Sequence, residues 1–279
     1  MFYLEKMTEK DFEFALRLTD TRDWNLVEDD FKFMTKLEPE GCFVLFEGSE
    51  RVGLITSIGF DRIGWFGNLI VEERHRKKGA GALLVKSVVS YFLSKGVNNV
   101  GLYSYTDAIP FYEKLGFKYD SEFTVLEGKA STSPANAIVR KAGKEDFQKI
   151  INHDSGCFGA SRKKLLEAIL GNVANLCYLS TENGRILGYA MAKVYEGVAE
   201  IGPLACQRER SSIAIDLLKT VLNRLGGFDV SLCLPTKETV IIDFLSKLGI
   251  SERFRVARMF LKPFGAKDCI YLAESLERG

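Results

Sequence analysis

The stretch Arg76-Lys77-Lys78-Gly79-Ala80-Gly81 decides the fold, because of the segments on either side of it. An apolar run over residues 65–71 precedes it and predicts a strand, and apolar residues at helical spacing over residues 82–93 predict a helix. In a strand, loop and helix of this kind, backbone N–H groups point outward and the helix dipole favours an anion. The stretch therefore predicts a phosphate-binding loop, whose glycines keep side chains away from the phosphate oxygens.

The loop matches neither of the common nucleotide-binding motifs, Gly-x-x-x-x-Gly-Lys-Ser/Thr and Gly-x-Gly-x-x-Gly. It resembles instead the Arg/Gln-x-x-Gly-x-Gly/Ala signature of the GCN5-related N-acetyltransferase (GNAT) superfamily. Farther along, Ala108-Ile109-Pro110-Phe111-Tyr112-Glu113-Lys114-Leu115-Gly116-Phe117 is similar to the closing helix and Gly-Phe turn of the same family. With two motifs in the family's order, the first half of the chain resembles a GNAT domain.

The resemblance implies acetyl-CoA as co-substrate and no metal. In the family, the central strand parts from its neighbour, so that main-chain groups are free to pair with pantetheine and to polarise the thioester carbonyl. The implied pantetheine-binding residues are Leu69, Ile70 and Val71. The implied pyrophosphate-binding residues, called the glycine loop below, are Arg76, Lys77, Lys78, Gly79, Ala80, Gly81 and Ala82.

Tyr112 is the candidate catalytic residue, because the resemblance places it where many family members carry the tyrosine that protonates the leaving thiolate. A phenol with a pKa of about 10 keeps its proton at neutral pH, which suits a general acid. The alternative interpretation is a core tyrosine whose hydroxyl bonds to a backbone group.

No general base stands out, since residues 63–71 contain no carboxylate. Glu72 is expected to balance the basic cluster that follows it. His75 has a suitable intrinsic pKa, but among arginines and lysines it is expected to be solvated or to face phosphate. An amine that is already neutral in a pocket of low dielectric would need no base.

Trp24 and residues 21–33 are the candidate acceptor-binding region. They occupy the region that often forms one wall of the acceptor pocket in the family. Acidic residues cluster there and would suit a cationic amine. The alternative is the start of a helix, where acids are favoured. These acids are Asp20, Asp23, Glu28, Asp29 and Asp30. The sequence leaves the acceptor open, as a small-molecule or peptide amine.

The chain contains an internal repeat. Residues 9–12 match residues 144–147 at an offset of 135, and the offset is 133 where Gly116 meets Gly249. We therefore expect an α/β (α+β) fold of two tandem GNAT-like domains, each a mixed, mainly antiparallel central sheet flanked by helices. The predicted boundaries are 1–127 for the first domain, 128–136 for a linker and 137–279 for the second domain.

The second copy has lost the residues of the site. Ile213 and Ile215 replace the two glycines of the loop, and Leu245 stands where the first copy has Tyr112. Branched side chains would crowd the amides that must meet the pyrophosphate. We therefore expect one active site, in the first half. The second half is a structural module, or it covers the acceptor site or supplies residues to it.

Composition sets broad limits on the 279-residue chain. Its 38 basic and 37 acidic residues give a net charge of +1, which predicts no general attraction to nucleic acid or membrane. No apolar run reaches the length of a membrane span, and the first residues lack a signal-peptide pattern. The scattered cysteines and two histidines predict neither a zinc site nor a disulfide framework. The thiols are expected to be reduced and buried. The protein is expected to be cytoplasmic, as a monomer or a homodimer.

The expected function is that of an acetyl-CoA-dependent N-acetyltransferase acting on a primary amine. One alternative is a non-catalytic acyl-CoA-binding or regulatory module. Another is a transferase that uses a longer acyl or an aminoacyl donor on the same scaffold.

Overall fold

The computed structural model describes residues 1–134, 139–265 and 269–279. The strands of the first half are β1 (Phe2–Lys6), β2 (Phe43–Glu47), β3 (Glu50–Phe60), β4 (Ile63–Val71), β5 (Asn99–Tyr105) and β6 (Lys118–Lys129). Its helices are α1 (Phe12–Asp20), α2 (Glu28–Leu37), α3 (Ala80–Ser94) and α4 (Ile109–Lys114).

The second half repeats this order of elements. Its strands are β7 (Val139–Lys141), β8 (Leu176–Glu182), β9 (Arg185–Val194), β10 (Val198–Gln207), β11 (Asp229–Pro235), β12 (Ser251–Phe260) and β13 (Cys269–Leu272). Its helices are α5 (Phe147–Phe158), α6 (Lys163–Gly171), α7 (Ser211–Arg224) and α8 (Thr239–Lys247). β13 follows β12, the counterpart of β6, and so lies beyond the repeat.

The repeat extends to the contacts of single side chains. Asp11 accepts a hydrogen bond from the Thr8 amide (2.8 Å) and pairs with Arg51 (2.7 Å). Asp146, at the offset of 135, accepts one from the Gly143 amide (2.9 Å) and also pairs with an arginine (2.7 Å). Both carboxylates are buried and fix the entry to α1 and α5. The predicted fold class, two GNAT-like units built on a mixed and mainly antiparallel sheet, is confirmed.

The two halves share one continuous sheet, which the sequence did not predict. The strand order is β1-β2-β3-β4-β5-β12-β6-β11-β10-β9-β8-β7, and β13 pairs with β10. The closing strands are therefore exchanged: β12 pairs with β5 of the first half, and β6 pairs with β11 of the second. Gly128 and Lys129 of the predicted linker belong to β6, whereas Ala135 and Asn136 lie outside the described residues.

Helices cover both faces of the sheet. Side chains of α1, α2, α5 and α6 contribute to one core cluster that spans the two halves. On the opposite face, α3 and α4 pack over the first half and α7 and α8 over the second. In the described part of the chain, no helix is long and apolar enough to cross a membrane.

One pair of cysteines departs from the expectation of reduced thiols. Cys157 in α5 and Cys269 in β13 are disulfide-bonded, with Cα atoms 5.7 Å apart. The expectation was wrong for this pair because 112 residues separate the two positions, so spacing carried no sign of pairing. The other cysteines are free and buried, and burial raises the pKa of Cys42, Cys177 and Cys206 to about 12.

A buried ion pair fastens the end of the chain to the second half. Arg162 and Asp154 are fully buried, and the guanidinium contacts the carboxylate at 2.6 and 3.0 Å. The same guanidinium donates to the Tyr271 hydroxyl (2.8 Å) and to the Gly279 carbonyl (2.6 Å), and the Tyr189 hydroxyl donates to Asp154. Loss of either charge would leave its partner buried and uncompensated.

We expect the Asp154→Asn variant to lose about 3–5 kcal/mol of unfolding free energy, because Arg162 would keep its charge without a counter-ion. Urea denaturation measures this loss. The control is Glu28→Gln, which breaks an exposed pair with Lys32 and should change stability little. Equal small changes in both variants would contradict the assigned role of the buried pair.

Candidate active site

A gap opens between β4 and β5, where the two parallel strands part. They pair only at the positions Ile63↔Asn99, Gly64↔Val100 and Trp65↔Gly101. Beyond that point β5 stays paired with β12, and β4 stays paired with β3. The edge of β4 that faces β5 is therefore left without a partner strand over residues 66–71, although the Val71 carbonyl accepts a hydrogen bond from Arg76 Nε (2.9 Å).

A β-bulge shapes this open edge. Leu54 of β3 faces Ile70 and Thr56 faces Gly67, so two residues of β4 stand opposite one of β3. Asn68 has a positive φ of 50°, and its side-chain amide donates to the Thr56 hydroxyl (3.1 Å). The predicted pantetheine-binding residues 69–71 directly follow this bulge and lie along the gap.

The glycine loop joins the end of β4 to α3 and presents unpaired amides. Within the described ranges, no oxygen accepts a hydrogen bond from the amides of residues 77–82. Arg76 is anchored by its Nε atom, which donates to the Val71 carbonyl (2.9 Å). Lys77 and Lys78 are exposed and have no ion-pair partner among the described residues. Free amides beside exposed cations are a combination that favours binding of an anion.

Gly79 makes the shape of the loop possible. Its φ is +88°, a conformation that branched side chains resist, and it caps α3. A Cβ atom built there would have no atom within 4 Å, so the space above the backbone is open. At Gly81 a Cβ atom would lie 3.4 Å from the Phe111 ring.

The corresponding loop of the second half is absent, and its gap is filled by the chain itself. Helix α7 begins at Ser211, so Ile213 lies inside the helix and in the core. Arg210, the counterpart of Arg76, pairs with Glu182 (3.3 Å). β10 pairs with β11 over three positions and then parts from it, but β13 pairs with β10 beyond that point. No such strand lies beside residues 66–71 in the described part of the first half.

Tyr112 lies on the face of the sheet that carries the glycine loop. Its ring packs near Phe66 and Phe117, at centroid distances of 6.1 Å from each, and 8% of the residue is exposed. Burial raises its pKa, so the hydroxyl keeps its proton at higher pH than a free phenol. No described group forms a hydrogen bond with this hydroxyl. The packing fits the core interpretation, but the expected backbone partner is missing.

His75 differs from the expectation of a solvated side chain. It is 6% exposed, and its Nδ1 atom lies 2.9 Å from Glu47 Oε2. The sequence around it is basic, but β2 supplies a carboxylate that no local pattern reveals. Glu72 pairs with Arg74 (3.0 Å), as its place beside the basic cluster predicted.

The face opposite the glycine loop carries the predicted acceptor wall. Trp24 precedes α2, and its indole lies beside the hydroxyl of Tyr105, which is 41% exposed at the end of β5. The Tyr105 ring lies 5.5 Å from that of Phe254, in β12. Three of the predicted acids lie in the first turn of α2: Asp30 accepts from the Val27 amide, and Glu28 and Asp29 pair with Lys32. The helix-start interpretation is confirmed for these three, whereas Asp20 ends α1 and Asp23 lies between the two helices.

Residues from the end of the second half also line this face. The closing segment (residues 273–279) crosses β4, where the Trp65 indole donates to the Leu276 carbonyl (3.3 Å). A Cβ atom on Gly67 would come within 2.5 Å of the Glu277 Cα atom. The sequence left open a second half that supplies residues, but no motif singled out the closing segment.

Comparisons with known proteins agree with this geometry. Residues 4–117 match the model of the acetyltransferase (GNAT) family, and residues 150–271 match that of an acetyltransferase (GNAT) domain. The uncharacterized N-acetyltransferase YitH of Bacillus subtilis is 21% identical over 89% of this chain and 88% of its own length. The holothin acyltransferase of a Pseudoalteromonas species is 23% identical over 92% of this chain and 87% of its own length.

The fold of the whole chain also has a close counterpart. The crystal structure of a candidate acetyltransferase from Pyrococcus horikoshii superposes with a TM-score of 0.84 at 20% identity, covering 100% of this chain and 96% of the other. Because both family matches and the repeat of elements divide the chain in the same way, it belongs to the GCN5-related N-acetyltransferase superfamily as a tandem member with one such domain in each half.

Proposed function

We propose that the chain is an acetyl-CoA-dependent N-acetyltransferase that acts on a primary amine, with one active site in the first half. The observation that carries this proposal is the open gap beside residues 66–71, which ends in a loop of unpaired amides. The gap suits a pantetheine chain that pairs with β4, and the loop suits the pyrophosphate that follows it.

The residues present fit this co-substrate. Gly79 leaves open space above the backbone, and Lys77 and Lys78 add positive charge beside the free amides. Acetyl-CoA would supply a thioester whose acetyl group passes to a neutral amine as the thiolate leaves. Main-chain N–H groups on the open edge of β4 would donate to the carbonyl oxygen as negative charge develops there. Tyr112 would donate its proton to the leaving sulfur.

The second half is proposed to bind no acyl-CoA. Three features support this: the helical path of residues 211–215, the pairing of Arg210 with Glu182, and the presence of β13 beside β10. Together they remove the free amides, the free cation and the free strand edge.

The alternative functions differ in the acyl-CoA donor that is used and in whether it is turned over. The relative from Pseudoalteromonas is named for acyl rather than acetyl transfer. A longer acyl donor on the same scaffold is therefore the second candidate. Turnover with acetyl-CoA compared with longer acyl-CoA donors, and with no donor, separates an acetyltransferase, an acyltransferase and a binding module.

We expect calorimetry to give one acetyl-CoA site per chain, and the double variant Gly79→Ile/Gly81→Ile to lose it, because isoleucine resists the positive φ and blocks the amides. Gly184→Ile is the control: Gly184 has a φ of +77° with no atom near its Cβ position, and it lies in the turn between β8 and β9 of the second half. Two sites per chain, or binding that survives in the double variant, would contradict the proposal.

The Tyr112→Phe variant should lower kcat by roughly 10²–10⁴-fold while the Kd of acetyl-CoA changes little, because only proton donation is removed. Steady-state kinetics and calorimetry measure the two quantities. Tyr119→Phe, at a tyrosine 54% exposed on β6, is the matched control. An unchanged kcat would indicate that Tyr112 only packs in the core and donates no proton.

The pH dependence follows from the direction of the Tyr112 pKa. Since burial raises this pKa above its ordinary value of about 10, the proton stays on the hydroxyl and the rate should not fall on the alkaline side below about pH 10. The rate should instead rise with pH as the amine loses its proton. A kcat profile that falls with an apparent pKa between about 7 and 9 would assign the general acid to another group.

A further inference from the structure

Glu277, in the closing segment, packs against β4 at the point where β4 and β5 separate. A Cβ atom built on Gly67 would lie 2.5, 2.8 and 3.1 Å from the Cα, Cβ and Cγ atoms of Glu277. Gly67 is two residues past Trp65, the last residue of β4 that pairs with β5. The absence of a side chain at Gly67 therefore lets the closing segment lie against β4 where the gap begins.

The two faces of the gap carry different groups. The glycine loop and Tyr112 lie on the face covered by α3 and α4. Glu277, Trp24 and Tyr105 lie on the opposite face, beside α1 and α2. A donor that enters from the first face leaves the second face to the amine. An acceptor that enters from the second face would meet the closing segment, with Glu277, where that segment lies against β4.

The cations near Glu277 make their ion pairs with other carboxylates. Burial would lower the pKa of Arg278, but the charges of Glu274 and then of Glu277 raise it, so Arg278 also interacts with Glu277. Lys193 contacts Glu200 (2.5 Å) and Glu274 (2.6 Å), and Arg278 contacts Glu274 (2.7 Å). Burial would raise the pKa of Glu274, but Arg278 and Lys193 outweigh it and lower the value to about 2. With Glu277 the group has three carboxylates and two cations. Glu277 is half-buried and has no hydrogen bond or ion pair among the described residues.

Aromatic side chains lie on the same face of the gap as Glu277. Burial chiefly, and the charge of Glu277 in part, raise the pKa of Tyr105. Arg22 and Asp107 also act on Tyr105, with opposite signs. A carboxylate on the same face as an exposed aromatic ring suits an alkylammonium group, which gains from both.

We propose that Glu277 binds an ammonium group of the acceptor other than the one that is acetylated, so that the acceptor is a diamine or a larger amine with a second cationic group. This inference rests on the proposed function. It also gives the second half a part in the site, because the specificity residue of the first half comes from the closing segment.

The test compares diamines with monoamines of the same length, from three to six carbons, for example 1,4-diaminobutane with 1-aminobutane. Two quantities are measured at pH 8.5: kcat/KM with acetyl-CoA, and calorimetric binding to the chain saturated with CoA. The wild type should prefer at least one diamine by roughly tenfold or more, the size expected for one charged hydrogen bond. The ratio should fall to about one in Glu277→Gln.

Glu209→Gln, an exposed carboxylate of the second half, is the matched control and should keep the wild-type ratio. Thermal unfolding checks the fold of each variant. A wild type that prefers no diamine or binds none, or a Glu277→Gln variant that keeps the preference, would overturn the inference. If acetyl-CoA binds at one site while no diamine is preferred, only the role of Glu277 fails. If acetyl-CoA does not bind, the proposed function itself fails.

Discussion

The parting of two parallel strands is the constraint on which the rest of this structure depends. β4 and β5 are joined at only three positions, and the same is true of β10 and β11 in the second half. Strand edges left open inside a protein need partners for their main-chain groups. In the second half the chain provides that partner as β13, whereas in the described part of the first half no strand pairs with the exposed edge of β4 beyond Trp65. Both halves thus have parted parallel strands, and they differ in whether a further strand pairs with the exposed edge.

Because β6 and β12 are exchanged, elements of the second half complete the sheet of the first half. β12 completes the sheet beside β5 and brings Phe254 against Tyr105, while the closing segment returns across β4. A core cluster drawn from both halves holds these elements in place, and the buried pair of Arg162 and Asp154 fastens the end of the chain. The second half therefore contributes strands, core side chains and the closing segment to the region around the gap of the first half.

The sequence was sufficient for the local parts of this account and insufficient for the non-local ones. The glycine loop and the residues around Tyr112 are contiguous, so their patterns predicted a strand, a loop and helices where the structure has them. The internal repeat predicted two units in the same way. The exchanged strands, the disulfide and the contact of Glu277 with Gly67 join positions about a hundred or more residues apart. No local pattern encodes such pairings, because they depend on which chain segments meet in the folded core.

Hydrogen–deuterium exchange with and without acetyl-CoA tests the central claim most directly, because the amides of residues 77–82 have no partner in the described structure. The account predicts that acetyl-CoA slows exchange over residues 66–82 and leaves residues 204–215 as they were. Protection of residues 204–215, or no protection of residues 66–82, would contradict a single donor site in the gap between β4 and β5.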